Sequence, residues 1–117
     1  MKKILLVVFL IRNKPIQVSS ERRTKLSDAE IIQIATKAAR IEGINLIYRS
    51  ICFDVENKFW KEKLRTMDKD KARNYKFLEN KKYQAVCLSL IEILNGRDVW
   101  VVIDKKTGEI LALYKEE

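Results

Sequence analysis

The chain reads Tyr83-Gln-Ala-Val-Cys-Leu-Ser-Leu-Ile-Glu-Ile-Leu94, then Asn95-Gly96, then Arg97-Asp-Val-Trp-Val-Val-Ile103, and this stretch decides its fold. Asn-Gly between two apolar runs predicts a tight hairpin, because a type I′ turn needs positive φ at both central residues. The following Asp104-Lys-Lys-Thr-Gly108 predicts a second hairpin, with glycine at the left-handed position of a bulged turn. We therefore expect three antiparallel strands over residues 83–94, 97–104 and 109–115.

The two turns also predict which residues are paired. If Leu94 pairs with Arg97 across the first turn, the register follows along both strands. Leu90 then opposes Val101, and the second turn places Val101 opposite Ala112. We expect Leu90, Val101 and Ala112 to lie side by side on one sheet face.

Both faces of this predicted sheet are apolar. An antiparallel sheet with one solvated face alternates apolar and polar side chains instead. We expect other parts of the chain to cover both faces. The alternative is that one face, such as the face bearing Trp100, receives a partner protein or a second copy in a homodimer.

A helix is predicted before the strands. Ser27 and Glu30 form a Ser-x-x-Glu capping box, in which each side chain satisfies a free backbone N–H of the first turn. Apolar residues follow at helical spacing until Gly43, which suits the left-handed position past a helix end. Residues 44–55 then read as a further strand. The sequence predicts an α+β fold, with the helix packed on a four-stranded antiparallel sheet.

Residues 57–82, the basic segment, carry ten Lys or Arg residues and four acidic ones. Helical spacing of apolar residues predicts one or two short helices here, inserted between strands 1 and 2 and anchored by Trp60 and Tyr75. Such a charged run is commonly a solvated face. The functional alternative is a docking surface for an acidic partner, with Lys69, Lys71 and Arg73 as contacts.

Residues 1–20 differ from the domain 21–117. Lys2-Lys3 precede the apolar run 4–11, and small residues lie near 18–20, which is the order of a secretory signal peptide. This pattern favours export to the periplasm or cell envelope over the alternative, an N-terminal arm of a cytoplasmic protein. The net charge is +8. It would fall to +4 on removal of residues 1–20, which hold four bases and no acid.

The sequence contains no histidine, which removes the usual general base and the commonest metal ligand. No phosphate-binding glycine loop or Cys-x-x-Cys pair is present, so we expect neither cofactor nor metal. Carboxylates such as Asp54 and Asp104 follow strands, where they commonly cap turns. Cys52 and Cys87 are expected to be buried thiols, with a disulfide as the alternative if the chain is exported.

Four segments carry a family resemblance: Ser27-Asp-Ala-Glu-Ile-Ile-Gln-Ile-Ala35, Asp54-x-x-Asn57-x-x-Trp60, Tyr83-Gln-Ala-Val86 and Val99-Trp-Val-Val-Ile-Asp-Lys-Lys-Thr-Gly-Glu-Ile-Leu111. They resemble small bacterial immunity proteins of polymorphic toxin systems, which have a nuclear-transport-factor-like, or cystatin-like, fold. The closing hairpin is also similar to that of PepSY domains, which are often propeptide-like inhibitors. Immunity families often carry glycines before the Trp-bearing strand, where this chain has only Asn95-Gly96.

We therefore expect a binding protein and not an enzyme. The resemblance implies an immunity protein that binds and neutralises a cognate toxin with an acidic surface. The PepSY-like alternative is an exported protease inhibitor or chaperone. Weak nucleic-acid binding through the basic segment ranks third, because its aromatic residues are needed as anchors. The candidate partner-binding residues are Trp60, Lys69, Lys71, Arg73, Tyr75 and Trp100.

Overall fold

A computed structural model of the chain describes residues 25–90 and 97–116. Its strands are β1 (Arg49–Phe53), β2 (Tyr83–Leu90), β3 (Val99–Asp104) and β4 (Ile110–Lys115). Its α-helices are α1 (Asp28–Ile41), α2 (Lys58–Thr66) and α3 (Lys69–Arg73), and 3₁₀ turns occupy Val55–Asn57 and Lys76–Asn80. The predicted α+β class and four-stranded antiparallel sheet are confirmed. The predicted signal segment, residues 1–20, and the Asn95-Gly96 turn lie outside the described residues.

The strands are ordered β1-β2-β3-β4, and each neighbouring pair is antiparallel. The predicted register between β2 and β3 is wrong, because Val101 opposes Val86 instead of Leu90. The described ladder runs from the Tyr83–Asp104 pair to the Leu88–Val99 pair. The displacement is an even number of residues, which keeps the same side chains on each face.

The register of β4 differs from the prediction for another reason. Ile103 opposes Ile110 as expected, but an irregularity between Val102 and Ile103 places Leu113, not Ala112, opposite Val101. A β-bulge of this kind adds one residue to one strand and turns the following side chains to the other face. The predicted alignment of Leu90, Val101 and Ala112 is therefore wrong.

The capping box at the start of α1 is confirmed. The backbone N–H of Glu30 donates to Ser27 Oγ at 3.2 Å, and the backbone N–H of Ser27 donates to Glu30 Oε1 at 2.9 Å. Gly43, beyond the helix end, has φ +83°, as its predicted role requires. The apolar face of α1 packs on one face of the sheet in a cluster that includes Ile31, Ile34, Ala35, Ala38, Val86, Leu88, Val101 and Ile103.

The opposite face of the sheet is covered by the basic segment. Trp60 of α2 and Leu78 of the second 3₁₀ turn are buried against sheet residues, which are Ala85, Cys87, Trp100, Val102 and Ala112. Among the described residues, the chain itself thus covers both faces of the sheet, as expected.

Strand β1 is shorter than the predicted strand over residues 44–55. The side chain of Asn45 accepts a hydrogen bond from the backbone N–H of Ile47 at 2.9 Å. This Asx-turn keeps the chain curved before Arg49, so these residues cannot join the ladder. In the described sheet, β1 is an edge strand whose central residues, 50–52, are exposed.

Candidate functional site

Asp54 fixes the start of the basic segment. Its side chain is buried, and its two carboxylate oxygens accept hydrogen bonds from the backbone N–H groups of Phe59, at 3.1 Å, and Trp60, at 2.8 Å. These donors lie in the first turn of α2, where backbone N–H groups lack helical partners and the helix dipole favours a negative charge. Asp54 therefore caps α2, as its position after a strand predicted.

Asn57 ties the same segment to β2. Its side-chain amide donates to the carbonyl oxygen of Tyr83 at 2.9 Å, and its Oδ1 accepts from the backbone N–H of Ala85 at 2.7 Å. Asn57 and Glu56 both have positive φ, at 56° and 59°. Left-handed backbone is unfavourable for most residues, but asparagine tolerates it better than most. The Asp54-x-x-Asn57-x-x-Trp60 spacing thus has a structural explanation. Asp54 caps α2, Asn57 binds the backbone of β2, and Trp60 is the buried anchor.

An aromatic cluster holds the basic segment against the sheet. The Trp60 ring lies 5.5 Å from the Tyr75 ring, 5.7 Å from the Trp100 ring and 6.3 Å from the Tyr114 ring, measured between centroids. Such aromatic pairs stabilise beyond the area that they bury. Trp60 is 0% exposed and Trp100 is 4% exposed. These two predicted partner-binding residues are therefore core residues in this fold, and Tyr75 is half-buried between the cluster and the surface.

Glu116 joins α2 to the end of the sheet. Trp100 Nε1–H donates to Glu116 Oε2 at 3.1 Å, and Lys63 Nζ lies 2.7 Å from the same oxygen. Desolvation favours the neutral acid, but the hydrogen bonds from Lys63 and Trp100 outweigh it and lower the pKa of Glu116. The hydrogen bond to Glu116 correspondingly raises the pKa of Lys63.

This ion pair predicts a specific pH dependence of stability. Because the pKa of Glu116 is lowered on folding, the pair stabilises the protein above the ordinary carboxyl pKa and loses its effect as pH falls through the folded-state pKa. The pair is partly exposed, so Glu116→Gln should cost about 0.2–1 kcal/mol at neutral pH. Urea denaturation should show the two proteins converging as pH falls from about 6 to about 3. A difference that is the same at every pH would contradict the prediction.

An open cleft of about 1030 Å³ lies beside the sheet, along the basic segment. Among the described residues, its lining contains nine Lys or Arg side chains and one carboxylate, Glu79. The basic residues are Lys25, Lys61, Arg65, Lys69, Arg73, Lys76, Lys81, Lys82 and Lys105. Tyr75 and Tyr83 supply aromatic surface to the same lining. We call this the basic cleft, and its charge and aromatic rings suit an anionic ligand.

The structure brings some of the predicted contact residues together and separates others. Lys69 and Arg73 line the basic cleft, whereas Lys71, on the same short helix, does not. Arg73 also lies 3.3 Å from Asp70 in an exposed ion pair. The predicted contact set is therefore divided: Lys69, Arg73 and Tyr75 line the cleft, Trp60 and Trp100 are buried in the core, and Lys71 belongs to neither group.

Sequence reasoning missed two bases of the cleft, Lys25 and Lys105, because they lie outside the basic segment. Backbone hydrogen bonds bring them there: Leu26 N–H donates to the Lys105 carbonyl at 2.8 Å, and Lys105 N–H donates to the Lys82 carbonyl at 3.0 Å. Residues 25–26, 82 and 105 are distant in sequence, and no local pattern indicates that they meet.

Comparison with known proteins assigns no family. No protein-family model matches the sequence, and neither a curated protein nor a solved structure matches the chain. Within residues 25–90 and 97–116, no helix has the length and apolar character needed to cross a membrane. The same residues contain no group of three or more Cys, Asp or Glu side chains arranged to hold a metal ion.

Proposed function

We propose that this chain is a non-catalytic binding protein that neutralises a partner protein with an acidic surface, as an immunity protein does with its cognate toxin. One observation carries the proposal: the lining of the basic cleft contains nine cationic side chains and a single carboxylate, and within the described part of the chain only two of the nine, Arg65 and Arg73, form ion pairs with carboxylates outside the lining. A solvated face without a binding role more commonly mixes both signs of charge. The complementary surface would be a segment of the partner that is rich in Asp and Glu.

The arrangement of these cations suits protein recognition. They lie on α2, α3, the second 3₁₀ turn and the hairpin between β3 and β4, so they surround the cleft from several sides. Charges grouped in this way steer an oppositely charged partner and select against partners of the same sign. Asp54, Asn57 and the aromatic cluster fix the backbone of α2 on the sheet, which keeps the cleft preformed and reduces the entropy cost of binding.

The cystatin-like assignment is part of the proposal. An α-helix packed on a four-stranded antiparallel sheet agrees with that fold, and so does the closing hairpin around Gly108, whose φ is +80°. Asp104 supports that hairpin by accepting hydrogen bonds from the backbone N–H groups of Lys106, at 2.8 Å, and Thr107, at 3.1 Å.

Single-stranded nucleic acid is the second candidate ligand, favoured by the two tyrosines in the basic cleft. Tyr75 already makes edge contacts with Trp60 and Tyr114, at ring-centroid distances of 5.5 Å and 6.0 Å. These contacts make Tyr75 an internal support more than a free stacking platform. A protein partner therefore ranks first.

The proposal is tested by co-producing this chain with the protein encoded beside it and measuring survival of the host cells. The cleft variant combines Lys61→Glu, Lys69→Glu and Lys76→Glu, which place carboxylates on three elements of the cleft. The matched control combines Lys37→Glu, Lys106→Glu and Lys115→Glu, which are exposed and lie outside the cleft lining. Both variants change the net charge equally.

We expect the wild-type chain and the control variant to protect the cells and the cleft variant to lose protection. Equal protection by both variants would exclude the basic cleft as the binding surface. Tight binding of a single-stranded oligonucleotide by the wild-type chain, lost in the cleft variant without any effect on protection, would favour the second candidate.

A further inference from the structure

Two cysteines that are distant in sequence meet on adjacent strands. Cys52 of β1 and Cys87 of β2 are direct partners in the antiparallel register, and both are free thiols. Side chains of directly opposed residues project from the same face of a sheet. Both cysteines accordingly line one small cleft of about 350 Å³, together with Phe59 and Trp100.

The backbone geometry of such a pair is compatible with a disulfide. Directly opposed residues in antiparallel strands have Cα atoms about 4.5–5.5 Å apart, within the range of about 4.4–6.8 Å found in disulfides. Their Cβ atoms, at about 4.5–5.5 Å, must approach by roughly 1 Å to reach disulfide spacing. β1 is the edge strand of the described sheet and its centre is exposed, so it can make this adjustment more easily than an inner strand.

The two thiols differ in access. Cys52 is exposed, so its prediction as a buried thiol is wrong, because β1 is an edge strand of the described sheet. Cys87 is buried as predicted, at 4% exposed, and its Sγ lies 3.3 Å from Ser89 Oγ. Burial raises the pKa of the Cys87 thiol to about 12. The thiolate is the reactive form and a bulky oxidant needs access, so an external reagent meets Cys52 first.

We propose that Cys52 and Cys87 are a redox modification site, which a low-molecular-weight disulfide such as oxidised glutathione converts into a cross-strand disulfide. The Cys52 thiolate attacks one sulfur of the reagent, forming a mixed disulfide and releasing one glutathione thiolate. The Cys87 sulfur then attacks the Cys52 sulfur, forming the intrachain bond and releasing the second glutathione. The reagent accepts two electrons, and the protons of the two protein thiols end on the two glutathione thiols.

The bond would close a loop that contains the entire basic segment, residues 57–82. Closing a loop restricts the unfolded chain, and it would also fix β1 to β2 at the point where the segment leaves the sheet. The modification therefore stabilises the elements that form the basic cleft. It concerns the thiols alone and does not depend on the proposed partner.

The test exposes the full-length chain to oxidised glutathione in mildly alkaline buffer without denaturant, followed by peptide mapping under non-reducing conditions. We expect a linked peptide containing Cys52 and Cys87 and the loss of both thiols in each chain. A reaction that stops with glutathione on Cys52, or that links two chains, would overturn the proposal.

Two variants and one physical measurement complete the test. Cys87→Ser should accumulate the mixed disulfide at Cys52, whereas Cys52→Ser, a change at an exposed site, should react very little while folded. The oxidised wild-type chain should unfold at a temperature higher by roughly 10 °C or more, and reduction should reverse the shift. An unchanged unfolding temperature after complete oxidation would contradict the stabilising role of the bond.

Discussion

Replacing Trp60 with alanine should lower the free energy of unfolding by about 3–5 kcal/mol. Trp60 is 0% exposed, and its ring contacts Tyr75, Trp100 and Tyr114. The alanine leaves a cavity between α2 and the sheet and removes three aromatic pairs at once. Since small domains have total stabilities of about 5–15 kcal/mol, a loss of this size removes a large part of the total.

The adjacent residue supplies the matched control for this change. Phe59 lies on the same helix but is 61% exposed, so Phe59→Ala should change the free energy of unfolding by no more than about 0.5 kcal/mol. Urea denaturation followed by circular dichroism measures both variants. Equal losses from Trp60→Ala and Phe59→Ala would show that Trp60 does not anchor the basic segment.

Replacing Asp54 with alanine should lower the free energy of unfolding by about 1.5–5 kcal/mol. The change removes the acceptors of the Phe59 and Trp60 backbone N–H groups, which lie 3.1 Å and 2.8 Å from the carboxylate. Loss of a helix cap costs about 0.5–2 kcal/mol, and a buried donor left without an acceptor adds about 1–3 kcal/mol. Asp54→Asn keeps one acceptor oxygen, so it should lose less than the alanine variant.

Asp68 is the control for the role of Asp54. It occupies the N-cap position of α3, but it is exposed and its side chain makes no capping hydrogen bond. Asp68→Ala should therefore change the free energy of unfolding by less than about 0.5 kcal/mol. If Asp54→Ala proves no more destabilising than Asp68→Ala in urea denaturation, the cap contributes nothing measurable to α2.

The sequence predicted those parts of the fold that depend on interactions between residues close together in the chain, such as helix caps and turns. The capping box of Ser27 and Glu30 starts α1, and the glycine at position 108 has the positive φ that the predicted bulged turn requires. Trp60 and Leu64, one helical turn apart, lie on the side of α2 that packs against the sheet, as their helical spacing predicts. In each of these places the interacting groups lie within one or two helical turns or one hairpin.

The register of the strands and the pairing of distant residues depend on long-range contacts, which a short stretch of sequence does not reveal. The bulge between Val102 and Ile103 turns Ala112 to the other face, and Val101 pairs with Val86 instead of Leu90. The ties from Asn57 to β2 and the pairing of Cys52 with Cys87 follow from this long-range register.

The site was predicted only in part for the same reason. The number of charged residues in the sequence identified the basic segment. It could not show that Lys71 is absent from the cleft lining, or that Lys25 and Lys105 belong to it. Composition also could not distinguish a buried tryptophan from one available to a partner. Burial of Trp60 and Trp100 removes both from the candidate contact residues, so the proposed contact surface consists of the charged residues of the cleft.

The proposed role of the basic cleft is measured most directly by the rate at which the chain associates with its proposed partner, the protein encoded beside it. Stopped-flow fluorescence would follow the wild-type chain, the cleft variant and the matched control variant over a range of salt concentrations. Salt shortens the distance over which exposed charges act to about 8 Å at physiological ionic strength, so the steering effect should fade as salt rises. A second comparison uses two single variants on α3, Lys69→Glu and Lys71→Glu. Lys69 belongs to the cleft lining, whereas Lys71 does not.

Steering by grouped charges changes association rates by factors of about 10–10³, so the cleft variant should associate at least about tenfold more slowly at low salt. Its rate should approach that of the wild-type chain at high salt, the control variant should show a much smaller change, and Lys69→Glu should slow association more than Lys71→Glu. Association of a folded cleft variant at the wild-type rate at every salt concentration would contradict the assignment of the basic cleft as the binding surface.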